Sequence, residues 1–221
     1  MKKTTYAFEL SVLLIFFVFP PIFSAFSSNF SFAPFDLKYF LSETIRFFIA
    51  IFLLYSLNFC RKKDLNQTPA LLKLTLNSSH VLITAGFLFL FSAIIQFTAE
   101  RISFFKPPQT KVNFSINIPL FLFFVSVALA SFYEESVYRV FIPEVLLIFS
   151  SNRFALFFEA ICVLLFSLAH LYQGIAGFIN AFLSGIVLRL CCKKTRNVFC
   201  PFLAHCVYNF FAYFVIFVLQ K

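Results

Sequence analysis

The chain has 221 residues, of which 61% are hydrophobic, 39 are Phe and only 12% are charged. A soluble domain is nearer half apolar and a quarter charged, so this composition excludes an ordinary water-soluble fold and points to an all-α, polytopic membrane bundle. The net charge of +9 does not argue for nucleic acid, because the basic residues cluster at the ends of apolar runs (Lys2-Lys3, Arg61-Lys62-Lys63, Lys193-Lys194 with Arg196), as topology signals beside anionic lipid do.

Closed β-barrels also satisfy the backbone in lipid, but they show period-2 alternation, and the runs here are continuous. The first predicted span covers residues 6–26 and is interrupted by Pro20-Pro21. Its basic start resembles a signal peptide, yet Glu9 and the lack of a clean small-x-small site favour a retained helix. A second span covers residues 37–59, where Glu43 and Arg46 lie three apart on one face and can neutralise each other. A polar connector over 60–79 leads to a third span at 80–97, and a second connector, broken by Pro107-Pro108, follows it. The fourth apolar run begins near residue 116 and reaches 149, with a kink expected at Pro143. After a turn at 150–153 come spans at 154–172, 175–191 and 201–219, which makes about seven. With Lys2-Lys3 inside, the clusters at 61–63 and 193–196 are inside too, while Arg101, Lys106 and Lys111 fall on the opposite side. None of the six Cys forms a Cys-x-x-Cys pair, so they read as small apolar packers, with lipidation or metal binding at Cys191-Cys192 as the rarer alternative.

Ionisable groups at membrane depth are costly and tend to face a cavity. Here they concentrate in the last third. In "FYEESVYRVF", Glu135 and Arg139 are spaced i and i+4 for an ion pair, while Glu134 lies about 100° round the helix and is left to act as a base. The same cluster would also mark a helix end at the interface. In "FSLAH", His170 is either a packed, hydrogen-bonded residue or a proton acceptor. Glu134 lies 16 residues before the turn and His170 lies 17 after it, so antiparallel helices bring the two to one depth. In "HCVYN", His205 and Asn209 share a face, and both can donate to an oxyanion or glue helices together. Depth counting leaves His205 about 10 Å short of His170, a gap that a tilted last helix must close. Gly177, Ala181 and Gly185, with Ser184 nearby, form a stripe of small residues for close helix packing.

Glu-Glu-x-x-x-Arg, Phe-x-x-x-His and His-x-x-x-Asn, in that order on successive late spans, resemble the CPBP intramembrane protease family. That family includes type II CAAX prenyl endopeptidases and Abi-type bacteriocin-processing or self-immunity proteins. The resemblance covers roughly residues 120–214, which sets a catalytic core at 116–221 apart from N-terminal spans and connectors at 1–115. The family commonly has Gly after the motif Arg, where this chain has Val140, a departure that bears on local helix packing. The resemblance implies an intramembrane endopeptidase in which Glu134 and His170 activate water, His205 and Asn209 stabilise the oxyanion, and Glu135 and Arg139 hold the helix. Members are often labelled metalloproteases. The chain carries no His-Glu-x-x-His signature, and metal-free chemistry is the favoured expectation. If a divalent metal such as zinc is present, Glu134, His170 and His205 are its ligands. The expected partners are membrane lipids and a peptide or protein substrate, lipid-modified or not, with no nucleic acid. The expected location is a prokaryotic inner membrane. CAAX proteins, peptide pheromones, bacteriocin precursors and membrane protein tails stay open as substrates. A non-catalytic immunity or scaffold protein is the alternative, and a transporter ranks below it because the polar residues occupy one half of the chain only.

Overall fold

The computed structural model describes residues 2–25, 35–65, 76–102, 117–150 and 152–219. The described residues are almost wholly helical. In chain order the α-helices are α1 (Lys2–Leu13), α2 (Phe19–Ala25), α3 (Leu37–Leu65), α4 (Ser78–Arg101), α5 (Leu120–Glu134), α6 (Ile142–Phe149), α7 (Ala155–Leu168), α8 (Gly174–Thr195) and α9 (Phe199–Leu219). Half of the first polar connector, residues 66–75, and most of the second, from residue 103 on, lie outside the described residues. Five helical stretches are long and apolar enough to cross a membrane, while α7 and α9 contribute shorter apolar stretches, Ala155–Leu168 and Phe199–Val215. About seven spans therefore fit.

Two rods depart from a plain α-helix, and both do so just before proline. The first runs unbroken through Pro20 and Pro21, with a π-helical turn at Leu14–Val18 ahead of them. The interruption expected there is instead a widened turn. The long rod Leu120–Phe149 carries a π segment, Glu135–Phe141, that ends two residues before Pro143. Proline has no N–H and its ring crowds the carbonyl four residues back; letting an extra residue into the turn relieves both. Pro143 has no N–H to offer the carbonyl of Arg139, and Arg189 of α8 donates its Nη1 to that oxygen. The π segment holds the whole Glu-x-x-x-Arg stretch.

This rod is the most buried of the long helices. It packs against α3, α9, α7, α8 and α1, and one apolar core runs through them. Val137, Val140 and Phe141 of the π segment meet Leu53 and Leu57 of α3, Val18 and Leu13 of the first rod, and Phe166 of α7. Val140 is fully buried, so the residue in place of the family's glycine is absorbed into this core. A second cluster, Phe35, Phe123 and Val127 with Tyr213, ties the start of α3 to α5 and α9 through edge-on rings.

Outward-facing residues such as Phe8, Leu82, Phe121 and Leu156 are mostly exposed. Such a surface suits lipid, which offers no hydrophobic drive between helices, so packing and hydrogen bonds must hold the bundle. Gly185 shows the packing: a Cβ there would stand 3.1 Å from Val163 and 3.5 Å from Phe166. Polar ties complete it. Ser56 donates to Glu9 at 2.8 Å, joining α3 to α1. Asn180 donates to the Tyr208 hydroxyl at 2.9 Å, and that hydroxyl donates to Ser92 at 3.1 Å, joining α8, α9 and α4. Glu159 of α7 takes Arg189 and Lys193 of α8, each at 3.1 Å. Cys162, Cys191, Cys192, Cys200 and Cys206 are buried free thiols, in keeping with a packing role.

Candidate active site

The glutamate pair divides between two environments. Glu135 is fully buried. One of its oxygens stands 3.3 Å from Nε of the equally buried Arg139, and the other accepts from Nδ1 of His205 at 2.9 Å. The Arg139 guanidinium lies over the Phe166 ring, 4.2 Å from its centre, and Gly185 of α8 leaves room beside it, since even a Cβ there would come within 3.8 Å of Nη2. Its nitrogens make no aligned hydrogen bond. Charge attraction to Glu135 and the π face of Phe166 are what hold it at depth.

Glu134, one residue earlier, turns to the other side and stays partly open at 26% exposure. Its carboxylate is 3.8 Å from Nε2 of His205. His205 therefore sits between two carboxylates, one at each ring nitrogen. A carboxylate only accepts, so Nδ1 carries the proton given to Glu135, and Nε2 is the atom facing Glu134.

Asn209 donates from Nδ2 to Oγ of Ser131 at 3.1 Å, and Ser131 in turn donates to the carbonyl of Val127 at 2.9 Å. Ser131 precedes Glu135 by four residues and Asn209 follows His205 by four. One antiparallel face of α9 is thus fastened to one face of the α5 rod at two successive turns. The sequence motif shows His205 and Asn209 on a common face but gives no sign of their partners. Ser131, at i−4 from Glu135, is the signal that could have found them. The depth gap expected for His205 closes here, because the Phe166 ring is in contact distance of both histidines, its centre 4.6 Å from that of His170 and 6.3 Å from that of His205.

His170 lies beyond the end of α7, in the turn before Leu171–Gln173, rather than inside a helix. Gly174, with φ of 82°, reverses the chain there into α8. The His170 Nδ1 donates to the carbonyl of Phe166 at 2.8 Å, which leaves Nε2 as the acceptor in a neutral ring. Tyr172 stacks on His170, with ring centres 6.2 Å apart, and also feels the charge of Glu134. Glu134 and His170 make no direct hydrogen bond, so of the four expected catalytic side chains the structure joins Glu134 with His205 and places His170 and Asn209 around them. Among the described residues no group of three His, Cys, Asp or Glu side chains is arranged to hold a metal ion.

A bundle of apolar helices enclosing this carboxylate–imidazole centre defines an integral membrane protein. The description Type II CAAX prenyl endopeptidase Rce1-like matches residues 116–211, the stretch that holds every residue of the centre. The chain is 30% identical over 186 residues to UPF0177 protein YvdC of Lactococcus lactis subsp. lactis (strain IL1403), an overlap covering 80% of this chain and 68% of that one. The chain belongs to the CPBP family of intramembrane proteases. No solved structure matches it.

Proposed function

We propose that the protein is an intramembrane endopeptidase of a prokaryotic inner membrane that hydrolyses a peptide bond in a membrane-associated or lipid-modified protein or peptide. Water held between Glu134 and Nε2 of His170 loses a proton to them as its oxygen adds to the scissile carbonyl. The resulting oxyanion takes hydrogen bonds from the second amide N–H of Asn209 and from Nε2–H of His205. That last donor requires a doubly protonated ring, because Nδ1–H is already held by Glu135. The C–N bond then breaks, and the leaving amine receives the proton taken from water.

The observation that carries this reading is the opposed pair of imidazoles, His205 held proton-donating between carboxylates and His170 held proton-accepting by Phe166. The test compares membrane-peptide profiles of cells expressing the wild type and Glu134→Ala at equal abundance. New peptide termini should appear only with the wild type. Identical profiles would favour an immunity or scaffold role instead.

A further inference from the structure

The N-terminal half supplies a charged pair that the chemistry above leaves unused. Glu43 of α3 is buried, with 2% exposure, and one of its oxygens accepts from Nη1 of Arg46 at 2.8 Å. Its other oxygen has no hydrogen-bond partner. Arg46 behaves differently: its side chain is 34% exposed, and the guanidinium hangs 5.9 Å over the ring of Tyr133, the residue next to Glu134. Arg46 and Glu43 each lie close enough to Glu134 to interact with its charge. A guanidinium carries five N–H donors. Among the described residues it makes one hydrogen bond, to Glu43.

An arginine opened toward lipid would be strongly disfavoured. Its place over Tyr133, next to the partly open Glu134, argues that its accessible edge shares the space that carboxylate opens on. Glu43 acts as the anchor: it accepts from Nη1 and leaves the remaining donors of the guanidinium without a hydrogen bond among the described residues. Resting on the endopeptidase reading, we propose that Arg46 is a substrate-binding residue that grips a backbone carbonyl of the peptide next to the scissile bond. A peptide held for cleavage presents backbone carbonyls on either side of the scissile bond, and these are the acceptors such a fork suits. A neutral carbonyl oxygen accepts from the guanidinium without giving up a full ionic hydration shell on entering the site.

The test uses the full chain in phosphatidylethanolamine–phosphatidylglycerol liposomes. A library of internally quenched peptides is screened with the wild type, and the best-cleaved peptide is resynthesised with each flanking carbonyl in turn reduced to CH2. Arg46→Gln should lower kcat/KM on the parent peptide by roughly tenfold to a hundredfold, through KM with kcat little changed. Arg46→Lys should recover part of that loss, since it keeps the charge but not the fork. On one reduced peptide, and only that one, the wild type and Arg46→Gln should become equal. A structural role would instead lower kcat on every peptide and never equalise the two. Such a pattern, or an Arg46→Gln loss seen only with free-acid and not amidated peptides, overturns the proposal. Failure of the wild type to cleave any peptide would sink the endopeptidase reading itself, which is a distinct result from wild-type cleavage that ignores Arg46.

Discussion

His205 gives its Nδ1 proton to Glu135 at 2.9 Å, and that single contact turns the opposite nitrogen toward Glu134, 3.8 Å away. One glutamate of the motif thus orients the imidazole and the other shares its working face. The two adjacent glutamates are not interchangeable: the buried one organises and the half-open one is placed for chemistry.

Glu134→Ala and His170→Ala should therefore abolish proteolysis while the protein is still inserted and recovered folded. Among the described residues Glu134 is partly exposed and makes no hydrogen bond, and the His170 side chain makes one, to the carbonyl of Phe166. Cleavage assayed alongside size-exclusion behaviour in detergent decides it. Near wild-type turnover in either variant removes that residue from the mechanism.

Glu135→Gln should fail differently. It leaves Arg139 without its counter-charge and weakens the hold on His205. Breaking a buried pair on one side costs about 3–5 kcal/mol. Thermal unfolding in detergent should shift down markedly, with activity lost as well. A variant that is inactive at unchanged stability would mean that the roles of the two glutamates are exchanged.

Asn209→Ala should reduce turnover by about a hundredfold to a thousandfold with little change in substrate binding, because an oxyanion donor acts mainly in the transition state. The same change also removes the Asn209–Ser131 hydrogen bond. Ser131→Ala is the control, since it breaks that bond yet leaves the Asn209 donor in place, and it should retain most of the activity. Asn209→Asp replaces the donor with an anion and should be at least as damaging as alanine; an aspartate variant working at the wild-type rate rules out the oxyanion role.

Chelation addresses the metal question. The chain lacks a His-Glu-x-x-His signature, and on the metal-free reading exhaustive chelator treatment should leave cleavage intact, and elemental analysis should find well below one equivalent of zinc. A stoichiometric zinc whose removal stops cleavage, and whose return restores it, overturns this expectation.

Much of the fold is legible in the sequence, because apolar runs bounded by basic clusters translate directly into spans, and α4, α8 and α9 begin within two residues of the expected starts. The Glu135–Arg139 and Glu43–Arg46 pairs follow from helical spacing alone. Contacts between helices far apart in sequence are another matter. The spacing of Glu135 and Arg139 cannot reveal that His205, seventy residues away, reaches the same carboxylate. The prolines are legible as disturbances, but the π turns ahead of Pro20 and Pro143 depend on how the surrounding rods constrain the chain. His170 reads as a helical residue, yet α7 ends at Leu168, since Gly174 reverses the chain soon after.

The interlocking of Glu135, Arg139 and His205 restricts how a chain of this design can lose its chemistry and keep its shape. Changing any one of the three leaves another buried polar group stranded, so drift at those positions is opposed by folding as well as by catalysis. Glu134 and His170, partly open and making no long-range hydrogen bond among the described residues, carry no such protection. A descendant relieved of proteolysis but retained for binding should therefore shed Glu134 or His170 first. The buried triad would survive in it as an inherited girder, and the presence of Glu135, Arg139 and His205 in a relative would then say little about whether it cleaves anything.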